Sequence, residues 1–430
     1  MKRRGVTSND PPVERAALVG LVTRRTRSAD PELQLEELAG LAAAAGAEVV
    51  LRAVQERAVP DPSTLIGAGK AEQIARACDE AGANLIILDN ELTPAQSRNL
   101  EKVCGRRVID RTELILDIFA KRARTKEGQL QVELAQLQYM LPRLAGSSDA
   151  LSRLGGGIGT RGPGETKLET DRRRIRHRIS VLKSEIADVA RRRAYLRNRR
   201  KRSDVQTVAL VGYTNAGKTT LFNLLTGAEA VASNALFVTL DPLVRRIRLP
   251  DSRQVLLSDT VGFIDRLPHQ LVAAFRATLE EVNAADLLAH VIDGSVDDRE
   301  RRVEAVRAVL HEVKADTVPM LEIYNKVDLL SSDELARLKA LHPDALFVSA
   351  TQKRSRDAVI SALVGRLSMD AERVTLRLIG SREKDRRVLA DLYRFAKVIS
   401  HVTDDDDRVI VEADVPRRML ARFQRARVPA

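Results

Sequence analysis

The first 110 residues alternate between short apolar runs and longer amphipathic stretches. Ala17–Val22, Glu48–Val54, Asn84–Asp89 and Arg107–Asp110 read as strands. The third carries Leu85-Ile-Ile-Leu88, the unbroken apolar run of a strand buried on both faces. Between them Pro31–Gly46, Lys70–Gly82 and Pro94–Gly105 read as helices. Proline near a first turn and glycine at the stop are the ordinary punctuation of a helix. Such alternation predicts a parallel α/β unit.

From Thr112 the pattern changes. Leu130, Leu134, Leu137 and Leu141 form one helical stripe, with Pro142 as its expected end. Ile175, Ile179, Leu182, Ile186, Val189 and Leu196 form a second. Between the stripes, residues 145–165 hold seven of the 23 glycines. The pair suits an antiparallel helical hairpin with a glycine-rich tip; two ordinary surface helices packed on a neighbouring domain is the other reading. A second α/β alternation runs from Val205 to about Met369. The tail then reads strand Val374–Ile379, helix Lys384–Ser400, strand Arg408–Glu412 and helix Pro416–Arg425.

Composition narrows the picture. A chain of 430 residues with 44% apolar content can bury two to four cores, which excludes global disorder. The net charge is +12, from 71 Lys and Arg against 59 Asp and Glu. Arg172–Arg202 alone holds 14 basic residues and only Glu185 and Asp188 as acids, so it carries the whole excess. A solvated helix face usually mixes signs, so this one points to phosphate binding. Aromatics are 3% and Trp is absent, which favours shape and phosphate contacts over base stacking. Cys78 and Cys104 make neither a disulfide framework nor a zinc signature, and the six histidines are scattered. No apolar run reaches membrane-spanning length and no signal peptide is visible, so a cytoplasmic protein is expected.

The chemistry lies in the second α/β region. Strand Thr207–Val211 leads into Gly212-Tyr213-Thr214-Asn215-Ala216-Gly217-Lys218-Thr219, the full pattern G-x-x-x-x-G-K-[ST], and a helix follows. Backbone N–H groups of such a loop curl around phosphate, and the helix N-terminus adds its dipole. Lys218 is expected on the β- and γ-phosphates and Thr219 on Mg²⁺. Strand Gln254–Leu257 delivers Asp259 of Asp259-Thr260-Val261-Gly262 to the metal shell through water, and the Gly262 N–H faces the γ-phosphate. Thr239, within Phe237-Val238-Thr239-Leu240-Asp241, is the expected second Mg²⁺ ligand, lost on hydrolysis as the segment lets go. Asn325-Lys326-Val327-Asp328 selects guanine over adenine, because only guanine offers adjacent N1–H and N2–H donors to the Asp328 carboxylate. Ser349, Ala350 and Thr351 close the base side.

The catalytic set read from these motifs is Lys218, Thr239, Gly262 and Asn215. Phe263 follows Gly262 where many small GTPases have a water-orienting glutamine, so slow unassisted turnover is expected. Asn215 is read in two ways: as a K⁺ ligand near the β- and γ-phosphates, or as a residue that only shapes the turn.

With these motifs, Ile66-Gly-Ala-Gly-Lys70, Val108-Ile-Asp-Arg111, Gln131–Leu137, Gly155–Arg174 and Asp259–Phe275, the chain resembles the HflX-type GTPases over roughly residues 10–370. That is a ribosome-associated family in the translation-factor-related class of P-loop GTPases. An α/β architecture in four parts is expected: the resemblance implies an N-terminal α/β domain (1–111), a long helical hairpin with a basic second helix (112–202) and a P-loop GTPase domain (203–369), and the pattern of the tail adds a small α+β domain (370–430). The resemblance implies GTP and GDP as ligands and the large ribosomal subunit and its RNA as partner. It further implies splitting of ribosomes into subunits under stress. A GTP-gated assembly factor that splits nothing is the alternative. A lipid-bound basic helix ranks last, since it lacks the Trp and Phe such helices carry. A monomer without membrane insertion is expected. The chain departs from the family at Leu243-Val244, where Thr-Thr is usual, and at Gly294, where Ala is usual. Gly67-Ala-Gly-Lys70 lacks a first P-loop glycine and a following Ser or Thr, so no phosphate site is assigned there.

Overall fold

The computed structural model describes residues 13–24, 30–144, 163–202, 205–228, 236–237, 243–250, 253–266, 281–368, 371–404, 407–416 and 419–423. The chain divides into two compact units, one within residues 1–185 and one made of 186–267 with 275–430.

The first unit is built on β1 (Arg15–Val22), β2 (Glu48–Glu56), β3 (Leu85–Leu88) and β4 (Arg107–Asp110), all parallel, in the order β2-β1-β3-β4. The three expected helices are present: α1 (Pro31–Ala45), α2 (Ala68–Ala81) and α3 (Pro94–Cys104). Each ends at a left-handed glycine, Gly46, Gly82 and Gly105, and α3 opens on a Thr93–Gln96 capping box. A fourth helix, α4 (Arg111–Arg122), follows β4 directly. Its N-cap Asp110 is fully buried and accepts from the N–H groups of Glu113 and Leu92 and from Arg143. Arg111 donates to Asp89 at 2.8 Å and to Glu37 at 2.9 Å. The Val108–Arg111 motif is thus a buried polar knot at the C-terminal edge of this sheet.

Helix α5 (Lys126–Arg143) carries Pro142 inside its last turn, one residue before its end. Its buried face is Leu130, Gln131, Val132, Ala135 and Tyr139, not the expected leucine stripe: Leu134, Leu137 and Leu141 are half-buried. Packing against α4 turns the helix so that Val132 and Tyr139 point inward. Helix α6 spans Pro163–Arg202; Ile179 and Leu182 are buried, and Arg178 makes a two-pronged ion pair with Glu133 of α5. The glycine-rich segment 145–162 lies outside the described residues.

The second unit holds a six-stranded sheet, order β10-β9-β8-β5-β7-β6. Its strands are β5 (Gln206–Val211), β6 (Leu243–Arg248), β7 (Gln254–Asp259), β8 (Leu287–Asp293), β9 (Met320–Asn325) and β10 (Leu346–Phe347). All neighbours are parallel except the edge strand β6, which sequence periodicity did not reveal: its alternation is broken by Arg245-Arg246. Helices α7 (Lys218–Thr226), α8 (Arg299–Glu312), α9 (Ser332–Leu341) and α10 (Ser355–Ser368) belong to the same unit. The core is Val208, Leu210, Leu257, Ala289, Val291 and Ile323 of the sheet with Leu221, Phe222, Val359 and Leu363 of the helices.

The tail forms an antiparallel sheet β11-β13-β12, made of β11 (Ala371–Ile379), β12 (Lys397–Thr403) and β13 (Arg408–Pro416), with helices α11 (Glu383–Phe395) and α12 (Leu420–Phe423). Here the expected helix Lys384–Ser400 is corrected. It stops at Phe395, and Lys397–Thr403 is a strand. Val398, Ile399, Val402 and Thr403 are β-branched, and pairing with β13 outweighs continuation of the helix. The expected helix from Pro416 begins later, because β13 runs through Pro416. This sheet shares its core with Val205, just before β5, and with Leu256 of β7.

Candidate nucleotide site

The C-terminal ends of β5, β7, β8 and β9 meet at one edge of the sheet, the ordinary ligand position in open α/β folds. β5 ends in Gly212–Gly217, and α7 starts at Lys218. Gly212 (φ 150) and Gly217 (φ 91) leave no room for a Cβ: it would collide with the Val291 carbonyl oxygen at the first and the Asn325 amide at the second. Asn215 takes the left-handed φ of 60 at the exposed bend. Lys218 is buried and donates to the carbonyls of Gly212 (3.1 Å) and Tyr213 (2.8 Å), so the loop wraps its own ammonium.

β7 delivers Asp259 beside the helix start. Thr219 donates from Oγ1 to Asp259 Oδ2 at 2.8 Å, so the two expected metal ligands adjoin. Thr260 is anchored on the Leu210 carbonyl. Gly262 lies so close to the loop that a Cβ there would stand 2.8 Å from Thr214 Cγ2 and 3.1 Å from Lys218 Nζ. The next residue pairs with the loop like a strand: Thr214 N–H donates to Phe263 O (2.7 Å) and Phe263 N–H to Gly212 O (3.1 Å). Phe263 is 2% exposed, so its ring faces the interior and not the phosphate position.

The base side is built from β9 and β10. Asn325 donates to the Ala216 carbonyl (2.9 Å) and accepts from the Ala350 N–H (2.8 Å). Lys326 has a left-handed φ of 63, and its ammonium pairs with Asp293 at 2.7 Å. Val327 N–H reaches the Val348 carbonyl, and Asp328 sits exposed in the 3-10 turn Val327–Leu329. Ser349 and Thr351 share a hydroxyl contact of 2.8 Å. Phosphate loop, Asp259–Gly262, Asn325–Asp328 and Ser349–Thr351 are therefore together. Phe237 is described and buried; Val238, Thr239, Leu240 and Asp241 lie outside the described residues.

Burial lowers Lys218 to about 8, with the Asp259 carboxylate opposing that shift. His290, in the middle of β8, is pushed down to about 3 by burial first and then by Arg307 and Lys218, and is held neutral.

Several residues escaped sequence reasoning. Asp293 ends β8 and holds Lys326; its signal was the Asp-Gly-Ser turn after the apolar run Leu287–Ile292. Tyr213 is among the expected nucleotide-binding residues of the loop, but its side-chain contacts go beyond that expectation. Its hydroxyl accepts from the Asp265 N–H at 2.8 Å, and Arg302 of α8 lies over its ring. Neither contact has a local sequence signature.

The chain is similar to known proteins over most of its length. A family model for the N-terminal part of GTP-binding GTPases matches residues 32–120, and one for their middle region matches 122–200. A model described as 50S ribosome-binding GTPase matches 207–326. The chain is 46% identical over 411 residues to the GTPase HflX of Caldanaerobacter subterraneus subsp. tengcongensis, covering 96% of this chain and 93% of that protein. It is 44% identical over 405 residues to the GTPase HflX of Escherichia coli, covering 94% of each. Among solved structures it is similar to a GTP-binding protein from Sulfolobus solfataricus in complex with GDP. That match has 26% identity and a TM-score of 0.43, over 82% of this chain and 98% of that one.

Proposed function

The chain belongs to the HflX family of GTPases and hydrolyses GTP, and we propose both how its residues divide that work and where it acts. The N–H groups of Gly212–Thr219 and the Lys218 ammonium hold the β- and γ-phosphates. Thr219 and Asp259, a hydroxyl and a carboxylate 2.8 Å apart, are the hard oxygen donors Mg²⁺ takes, and Thr239 joins them when GTP is bound. An ion held there would supply positive charge to the phosphate oxygens. The Gly262 N–H binds the γ-phosphate and Asp328 reads the guanine. The buried Phe263 cannot position water, so hydrolysis is slow until something else helps. Asn215, exposed at the loop's bend, would offer its side-chain oxygen to K⁺, the other reading being that it only shapes the turn.

The site of action is the large ribosomal subunit, and the basic helix supports this reading. Along α6, Arg173, Arg174, Arg176, Lys183, Arg191 and Arg192 are exposed. A strongly basic, solvent-facing row of this kind, interrupted by Asp188 beside Arg191, suits RNA phosphates. The ribosome-binding description of the family model that matches the GTPase region points the same way. The protein acts as a cytoplasmic monomer and dissociates ribosomes into subunits. Among the described residues no helix is long and apolar enough to cross a membrane.

Sedimentation of intact ribosomes with this protein and a non-hydrolysable GTP analogue tests the reading. Free subunits, with the protein on the large one, are expected. Co-sedimentation with intact ribosomes would replace splitting by an assembly role. Absence from every ribosomal fraction would overturn the ribosome as partner.

A further inference from the structure

We propose that Asp293 is a positioning residue for guanine selectivity: it sequesters the Lys326 ammonium and so leaves the Asp328 carboxylate open to the base. The proposal rests on Asp328 being the guanine reader.

Asp293 is the last residue of β8, in register with Asn325 of β9, and is 6% exposed. Its two oxygens are divided between two tasks. Oδ1 accepts from the Ser295 N–H (3.0 Å) and hydroxyl (2.6 Å), which fixes the carboxylate plane. Oδ2 takes the Lys326 ammonium at 2.7 Å. Ser295 thus orients the carboxylate toward the base loop.

Lys326 needs such a hold for two reasons. Its φ of 63 is a left-handed conformation that a residue with a Cβ adopts at a cost, so the side chain must be tied from outside the loop. It is also a long cation two residues from an exposed carboxylate, Asp328. Released from Asp293, the ammonium could pair with Asp328 and compete with the N1–H and N2–H donors of guanine. Held at Asp293, it leaves its aliphatic stem as the wall of the base site and its charge already neutralised. Asn325 fixes the same loop to Ala216 and Ala350 by neutral hydrogen bonds alone, so the charge relation belongs to Asp293.

The test uses the full chain and fluorescent GDP and inosine diphosphate, which lacks the exocyclic amine. Wild type should prefer GDP. Asp293→Asn keeps the shape and one acceptor for Ser295 but loses the ion pair. It should weaken GDP about tenfold or more, and inosine diphosphate less, so that the ratio narrows. Adding Lys326→Met, which keeps a stem and removes the cation, should restore most of the ratio. A role in folding alone would lower thermal stability without such recovery. An unchanged ratio in Asp293→Asn, or no recovery in the double variant, overturns the proposal. Asp328→Asn is the separate control: if it leaves the wild-type ratio intact, the guanine reading itself fails.

Discussion

Asn325 donates from its side-chain amide to the carbonyl of Ala216, 2.9 Å away and 109 residues earlier in the chain. That bond fastens the base-reading loop to the phosphate loop, and the Ala350 N–H returns a second one to the same side chain. Asn325 is 2% exposed, so neither partner can turn to water instead. Asn325→Ala should therefore lower stability by about 1–3 kcal/mol and weaken GDP at least tenfold. Thermal unfolding with and without GDP measures both, and loss of either effect alone would show that the two loops are not held by this side chain.

Lys218 makes nucleotide binding sensitive to alkali. Its folded-state value is lowered to about 8 from 10.5, so the amine of the empty protein is neutral above that pH. Phosphate requires the ammonium. Binding must then take up a proton, and affinity should fall by up to tenfold per pH unit between about 8 and 10. The stability of the empty protein moves oppositely, rising with pH over this window, because the unfolded chain binds more protons there. Calorimetry of GDP binding in buffers of different ionisation enthalpy should show near-zero proton uptake at pH 7 and close to one at pH 9. Equal uptake at both would contradict a depressed Lys218.

His290 should set part of the acid limit. It is neutral in the fold, with its value near 3, whereas an unfolded histidine protonates near 6.5. A lowered folded value means that stability is intact above the unfolded value and declines as pH falls from about 6.5 toward 3. His290→Leu should flatten that decline and cost little at pH 7, as neither ring nitrogen has a hydrogen-bond partner among the described residues. Urea unfolding at pH 7 and pH 5 provides the comparison.

Asn215 provides the test for K⁺. Replacing K⁺ by Na⁺ should slow GTP hydrolysis of the wild type, and Asn215→Ala should remove the difference. Turnover by the isolated protein should lie on the order of 10⁻⁴ to 10⁻² s⁻¹. An equal wild-type rate in both salts would exclude the ion from the mechanism.

For α6, ribosome affinity should fall steeply with salt. Six to ten phosphate contacts would cost about a thousandfold or more between 50 and 200 mM, taking duplex DNA as guide. Neutralising Arg176, Arg191 and Arg192 together should make that dependence shallower and leave GDP affinity intact. A variant with the wild-type salt slope would mark the helix as a solvated face.

The sequence by itself determined the α/β alternation of the first unit, the helix stops at Gly46, Gly82 and Gly105, and the nucleotide motifs in their order. These depend on near neighbours along the chain: a period, a cap, or a loop that only glycine permits. Tertiary structure decided what depends on distant partners. It ended α11 at Phe395 because β13 offered Lys397–Thr403 a strand to pair with, against a helix-like pattern that ran on to Ser400. It turned α5 so that Val132 and Tyr139, not Leu134 and Leu137, face inward. It brought Asp293 to Lys326 and Tyr213 to Asp265, contacts spanning dozens of residues and carrying no local pattern. A backbone period shows which residue types recur along an element. Which charge meets which is set only when strand ends from separate parts of the chain arrive at one sheet edge.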